Sequence, residues 1–111
     1  MSKPSDLVQG TLDLLLLKII ALEPQHGWAI SQRLKQISNE DLQASDGSLY
    51  PALQKLELAG WIRSEWKITD AGRRAKFYAL TPAGRRRLAH ETDEWHRLAS
   101  AVSRVLRLKA V

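Results

Sequence analysis

The chain contains no cysteine in its 111 residues, which excludes a disulfide scaffold, a thiol nucleophile and a cysteine-ligated zinc. It also lacks an apolar run near twenty residues long. Its best stretch, Leu12–Leu22, is short and carries Asp13 and Lys18, so no membrane-spanning helix and no membrane partner is expected. The polar start Met1-Ser2-Lys3-Pro4-Ser5-Asp6 has no secretory h-region, and a cytoplasmic protein is expected. No Pro/Gly/Ser linker, internal repeat or low-complexity tract divides the sequence. Catalytic constellations are missing as well. His26, His90 and His96 have no spacing that suits one metal, since His90 and His96 would stand about 120° apart around a helix. Asp93 and Glu94 read as the polar face of that helix, and Ser48 carries no signature of an activated nucleophile. Neither an enzyme, a cofactor nor a metal is expected.

What the sequence has is charge, unevenly placed. A composition of 44% apolar and 26% charged residues is that of a globular domain. The net charge is +5, yet residues 1–60 carry −2, residues 61–88 carry +6 and residues 89–111 carry +1. Arg63, Lys67, Arg73, Arg74, Lys76, Arg85, Arg86 and Arg87 therefore supply more than the whole excess. A charge run is commonly just a solvated face. Concentration into one short segment favours a patch that contacts phosphate.

Periodicity predicts four helices and a hairpin. Val8, Leu12, Leu15, Leu16, Ile19 and Leu22 follow the 3,4 spacing of a buried helix face, and Pro24-Gln25-His26-Gly27 reads as a turn. Trp28, Ile30, Leu34 and Ile37 suggest a second helix. A third opens near Asp46-Gly47-Ser48, with Asp46 or Ser48 as N-cap and Pro51 in the first turn, and stops at Gly60. Its apolar arc is Leu49, Leu53 and Leu56, and its outward arc Ser48, Pro51, Gln54, Lys55 and Leu58. Leu58 is the misfit there, expected to pack under the strand that follows. Residues 61–68 and 73–80 read as two strands joined at Thr69-Asp70-Ala71-Gly72, with a basic tip of Lys67, Arg73, Arg74 and Lys76. Thr81-Pro82 opens a last helix, ~45 Å long if thirty residues are helical.

Three helices followed by a basic hairpin are the order of a winged helix-turn-helix: a mainly α fold with a small β-hairpin, residues 1–80, and a long C-terminal dimerisation helix, residues 81–111. In that arrangement the third helix enters the major groove of double-stranded DNA, where base edges carry a readable pattern. Gln54 suits an adenine edge, and Lys55 a guanine or a phosphate. Ser48 and Tyr50 sit where hydroxyls and a helix N-terminus meet phosphate, although Tyr50 reads equally well as a partly buried packing residue. Arg73, Arg74 and Lys76 would add sequence-independent, salt-dependent attraction. RNA is a weaker partner, because exposed base-stacking aromatic motifs are absent. A protein-interaction module of the same fold has the basic wing against it.

The segment Gly47-Ser48-Leu49-Tyr50-Pro51-Ala52-Leu53, followed by Lys55-Leu56-Glu57 and Gly60, resembles the recognition-helix signature of the PadR family of transcriptional regulators. The resemblance continues in residues 10–17, in Pro24-Gln25-His26-Gly27-Trp28, in Trp66 with Gly72-Arg73-Arg74, and in residues 76–85. Trp28 and Phe77 stand where tyrosine is common, and Ala75 replaces a usual basic residue. The resemblance implies a dimeric winged-helix regulator, usually a repressor, on an inverted-repeat operator. It also implies that Tyr50, Pro51 and the start of the third helix contact DNA, and that Arg73, Arg74 and Lys76 form the wing.

The last helix asks for a partner independently. Leu88, Thr92, Trp95, Ala99, Val102 and Leu106 fall within about 40° of one line at 4,3,4,3,4 spacing. Such a stripe can fold back on its own core, but it follows a hairpin that already completes the small domain, so a homodimer is expected. Trp95 has two readings: a large side chain filling the dimer core, or one of a pair that sandwiches a flat aromatic or cationic effector.

Overall fold

The computed structural model describes residues 9–110; the expectations at Val8 and the N-terminal segment lie outside them. The elements are α1 (Gln9–Leu22), β1 (Gln25–His26), α2 (Gly27–Ile37), α3 (Asp46–Leu58), β2 (Ile62–Ile68), β3 (Arg74–Leu80) and α4 (Pro82–Leu106). The fold is a winged helix-turn-helix followed by a long C-terminal helix.

The leucine-rich α1 runs through the middle. Leu12, Leu16, Leu17, Ile19 and Ile20 are buried against Ile30 and Leu34 of α2, Leu49, Leu53 and Leu56 of α3, and Ile62, Tyr78 and Leu80 of the sheet. Burying each such aliphatic side chain is worth about 1.5–3 kcal/mol, so this one cluster holds the three helices to the hairpin. The first half of α4 joins it through Leu88.

The sheet departs from expectation at one edge. Pro24–Gly27 is not only a turn: Gln25 and His26 pair antiparallel with Tyr78 and Phe77, giving the order β1-β3-β2. His26 also caps α2, its Nδ1 accepting from the Ala29 N–H at 3.4 Å. β2 and β3 pair in register from Ile62↔Leu80 to Ile68↔Arg74. The Thr69 N–H donates to the Arg73 carbonyl at 2.7 Å and the Gly72 N–H to the Thr69 carbonyl at 2.9 Å, which closes the hairpin.

The N-cap of α3 is Ser45, ahead of both expected residues, Asp46 and Ser48. Its Oγ accepts from the Ser48 N–H at 3.3 Å. Ser48 is thereby drawn inside the first turn, its hydroxyl 3.2 Å from Ser45 Oγ. Leu58 does not pack under β2; it is 83% exposed. Thr81 caps α4 as expected, accepting from the Gly84 N–H at 3.0 Å. α4 has 25 residues and stops at Leu106, with Arg107 as C-cap, short of the chain end.

The joint between hairpin and α4 is tight. The Thr81 N–H donates to the Trp61 carbonyl at 3.1 Å and the Thr81 hydroxyl to the Gly60 carbonyl at 2.7 Å. A Cβ on Gly84 would stand 1.9 Å from the Trp61 carbonyl oxygen, so only glycine lets the helix approach this closely.

Candidate nucleic-acid interface

At 100° per residue, the exposed arc of α3 runs from Glu57 and Tyr50 on one edge, through Gln54, Leu58 and Pro51, to Lys55 and Ser48 on the other. Tyr50, Pro51, Gln54 and Leu58 are all exposed. The first edge continues onto the hairpin. Ser64 Oγ of β2 donates to Glu57 Oε2 at 2.5 Å, and Lys76 Nζ of β3 lies 3.4 Å from Glu57 Oε1.

Strand pairing places Ser64 opposite Tyr78, Trp66 opposite Lys76, and Ile68 opposite Arg74. Cross-strand partners share a face, so Ser64, Trp66, Ile68, Arg74 and Lys76 form the hairpin surface beside α3. The Arg74 guanidinium lies 4.9 Å from the Trp66 ring centroid and Lys76 Nζ 5.9 Å from that of Tyr78. Tyr78 is buried beneath them. Burial pushes its phenol pKa up, the Lys76 charge pulls it down, and Glu57 and Tyr50 push it up further.

The Tyr50 ring packs against the start of α2. A Cβ on Gly27 would stand 2.7 Å from its Cε1 and 2.9 Å from its hydroxyl oxygen. The N-terminus of α2 thus leaves room for the ring only because residue 27 has no side chain. Tyr50 is nevertheless 47% exposed: one part of the ring packs while the rest faces outward, which joins its two readings.

The other expected contacts are distributed less simply. Tyr50, Pro51 and Gln54 share the exposed arc of α3, Lys76 reaches the Glu57 edge of that arc, Arg74 continues the same face of the hairpin, and Arg73 is exposed at the turn. Lys55 does not join them. Its ammonium is ion-paired with the Asp13 carboxylate of α1, because its position on α3, about 140° around from Tyr50, looks toward α1. Lys67 lies opposite Ala75 and so on the far face of the hairpin. There it meets Glu65 at 3.3 Å and the Phe77 ring at 5.6 Å. Gly27 and Glu57 shape the site without having been expected there. Glu57, seven residues after Tyr50, was placed within reach by helical period alone.

Along α4, Leu88 packs on the core of its own chain, and Thr92 turns its hydroxyl back to the Leu88 carbonyl at 2.7 Å. Ala99 is half-buried. Beyond Thr92 the stripe is open: Trp95 and Val102 are each 47% exposed and Leu106 77%. Leu98 and Val105, absent from the expected stripe, are also exposed and broaden it. The Trp95 ring has the His96 ring against its edge at 5.6 Å. Among the described residues no helix is long and apolar enough to cross a membrane.

Comparison with known proteins bears on this geometry. The model of the PadR-like transcriptional regulator family matches residues 16–90. The chain belongs to that family. A transcriptional regulator of Mycobacterium tuberculosis is 38% identical over 77 residues, covering 69% of this chain and 68% of its own. The crystal structure of a PadR-like transcriptional regulator from Bacillus cereus superposes with a TM-score of 0.78 at 26% identity, over 91% of this chain and 96% of that one. The crystal structure of a Streptococcus mutans protein superposes with a TM-score of 0.82 at 28% identity, over 96% and 98% respectively. The match to the family model begins within α1 and ends within α4, so it spans α3 and the whole wing.

Proposed function

We propose that this PadR-family chain is a sequence-specific repressor that binds an inverted-repeat operator as a homodimer, in the cytoplasm. The observation that carries the reading is the continuous surface made by α3 and one face of the wing, with Tyr50, Pro51 and Gln54 on the helix and Arg74 and Lys76 on the strand. Gln54 enters the major groove, offering paired hydrogen bonds to an adenine edge, and the hydroxyl of the exposed Tyr50 meets phosphate beside the start of α3. Arg73, Arg74 and Lys76 meet phosphate, and Ser48 lies near the backbone at the start of α3. Lys55 and Lys67 add to the field rather than to direct contacts, since Lys55 is turned to Asp13 of α1 and Lys67 lies on the far face of the hairpin.

Residues 1–80 form the reading head in this account, and residues 81–111 pair two heads. Leu98, Val102, Val105 and Leu106 leave an apolar face that a second copy would cover. A two-fold axis there would set two α3 helices about one DNA turn, ~34 Å, apart for symmetric half-sites. Occupying such a site blocks transcription. Trp95, on that face, is the side chain that a flat aromatic or cationic effector would meet.

Selection of duplexes from a randomised pool, followed by footprinting, tests the reading. An enriched inverted repeat, protected over both halves, is expected; enrichment of no sequence would overturn it. Quenching of tryptophan fluorescence by planar cationic dyes, lost in Trp95→Ala, tests the effector.

A further inference from the structure

The basic side chains of the reading head are held in two different ways. Lys55, Lys67 and Lys76 each face a carboxylate, that of Asp13, Glu65 and Glu57 respectively. Arg74 faces none among the described residues. Its guanidinium lies over the Trp66 ring instead, 4.9 Å from the centroid. Strand register explains the contact. Trp66 stands opposite Lys76 and Ile68 opposite Arg74, so Trp66 and Arg74 are diagonal neighbours on one face of the hairpin, within reach of an aromatic and a long side chain. The fold gives this indole little else to do: it is 57% exposed and lies outside the hydrophobic core.

The two ways of holding a cation leave different things for DNA. A carboxylate cancels the charge and occupies donors that a phosphate would need. An aromatic ring attracts a cation without carrying net charge. It takes the flat face of a guanidinium, and the N–H donors around the edge stay free. An unheld arginine loses rotamer freedom when it settles on a phosphate, whereas a stacked one has lost much of it beforehand.

We propose that Trp66 is a positioning residue, which presents the Arg74 guanidinium with its charge uncancelled and its edge free to a phosphate of the bound duplex. The proposal rests on the DNA-binding reading. Trp66 acts through Arg74 and does not itself touch nucleic acid. The stack survives binding, because phosphate takes the edge of the guanidinium and indole takes the face.

A double-mutant cycle, read by fluorescence anisotropy on the selected inverted repeat, tests this. Trp66→Leu keeps an apolar side chain and removes the aromatic face. Affinity should fall about threefold per wing, or about tenfold for two wings on two half-sites, the scale of an exposed cation–π contact. Trp66→Phe keeps a ring and should stay within about threefold of wild type. With Arg74→Gln already in place, Trp66→Leu should cost less than about twofold. With Arg73→Gln in place instead, the whole loss should remain, because Arg73 belongs to the turn and not to the stack.

An equal loss with and without the arginine at 74 would mean that Trp66 touches DNA or shapes the strand itself, and it overturns the proposal. So does no loss at all. A measurement on the unmutated chain guards against a variant that folds poorly. In its NMR spectrum the Arg74 side-chain protons should be shifted by the indole ring current, both free and on the operator. Ordinary Arg74 shifts in the complex would contradict the proposal. A chain that selects no duplex would overturn the DNA-binding reading and leave the ring-current shift of the free chain in place, which keeps the two failures apart.

Discussion

The reading head and the outer half of α4 use the same aliphatic residues to opposite ends. In the head, the 3,4 pattern of α1 finds cover in its own chain: Leu12, Leu16 and Leu17 disappear among α2, α3 and the sheet. In α4 an equally regular pattern is covered only as far as Leu88, after which Leu98, Val102, Val105 and Leu106 face outward. At about 1.5 kcal/mol or more per aliphatic side chain removed from water, covering that outward face with a second chain, as proposed, would offset part of the cost of association. A hydrophobic period marks a face and does not say what covers it.

The sharpest way to break the contrast is at the joint. Gly84→Ala sets a methyl 1.9 Å from the Trp61 carbonyl oxygen, with backbone rather than a flexible side chain in the way. Denaturant unfolding should show a loss of about 3 kcal/mol or more, among the larger effects of single substitutions. Next come substitutions on either side. Leu16→Ala, in the core, should cost about 2–5 kcal/mol of unfolding free energy at any protein concentration. Val102→Asp, on the open face, should cost less than about 0.5 kcal/mol within the chain. It should instead shift sedimentation from dimer to monomer at micromolar concentration. If Val102→Asp unfolds the monomer instead, the two regions are not distinct.

Much of the head was legible in the sequence because its determinants are local. The α1 period, the Gly60 stop of α3 and the turn at Thr69–Gly72 each follow from nearby residues, whereas Pro51, expected in the first turn, lies inside α3 because the helix starts at Asp46. The errors came where a distant element decides. Ser45, Asp46 and Ser48 are all good caps, and only the backbone path selects Ser45. A helical period puts Lys55 outside but cannot reveal Asp13, 42 residues away in sequence. Gln25–His26 is too short to carry a period, so β1 appears only when β3 is beside it. Lys67 could have been separated from Lys76 by strand alternation, once the turn had fixed the register at Ile68↔Arg74.

Smaller effects sharpen the account of the head. Gly27→Ala pushes a methyl to 2.7 Å from Tyr50 Cε1, and the exposed ring can swing aside. Stability should fall by less than about 1 kcal/mol, while operator affinity falls about tenfold, or ~1.4 kcal/mol, as measured by fluorescence anisotropy. A loss of stability with unchanged affinity would remove Tyr50 from the interface.

The smallest effect is a pH dependence. Burial raises the Tyr78 pKa above its ordinary 10.0, so the folded chain holds the phenol proton more tightly than the unfolded one. The stability this contributes is complete below pH 10 and is lost as pH rises through the folded value. Melting temperatures of Tyr78→Phe should consequently decline less steeply than wild type above that pH.

The central claim, two heads joined by the open face of α4, is tested most directly by the mass of the complex. Sedimentation equilibrium of the full chain with its selected inverted-repeat duplex should give two protein chains per duplex, and a dimer without DNA. One chain per duplex, with a monomer in free solution, would contradict it.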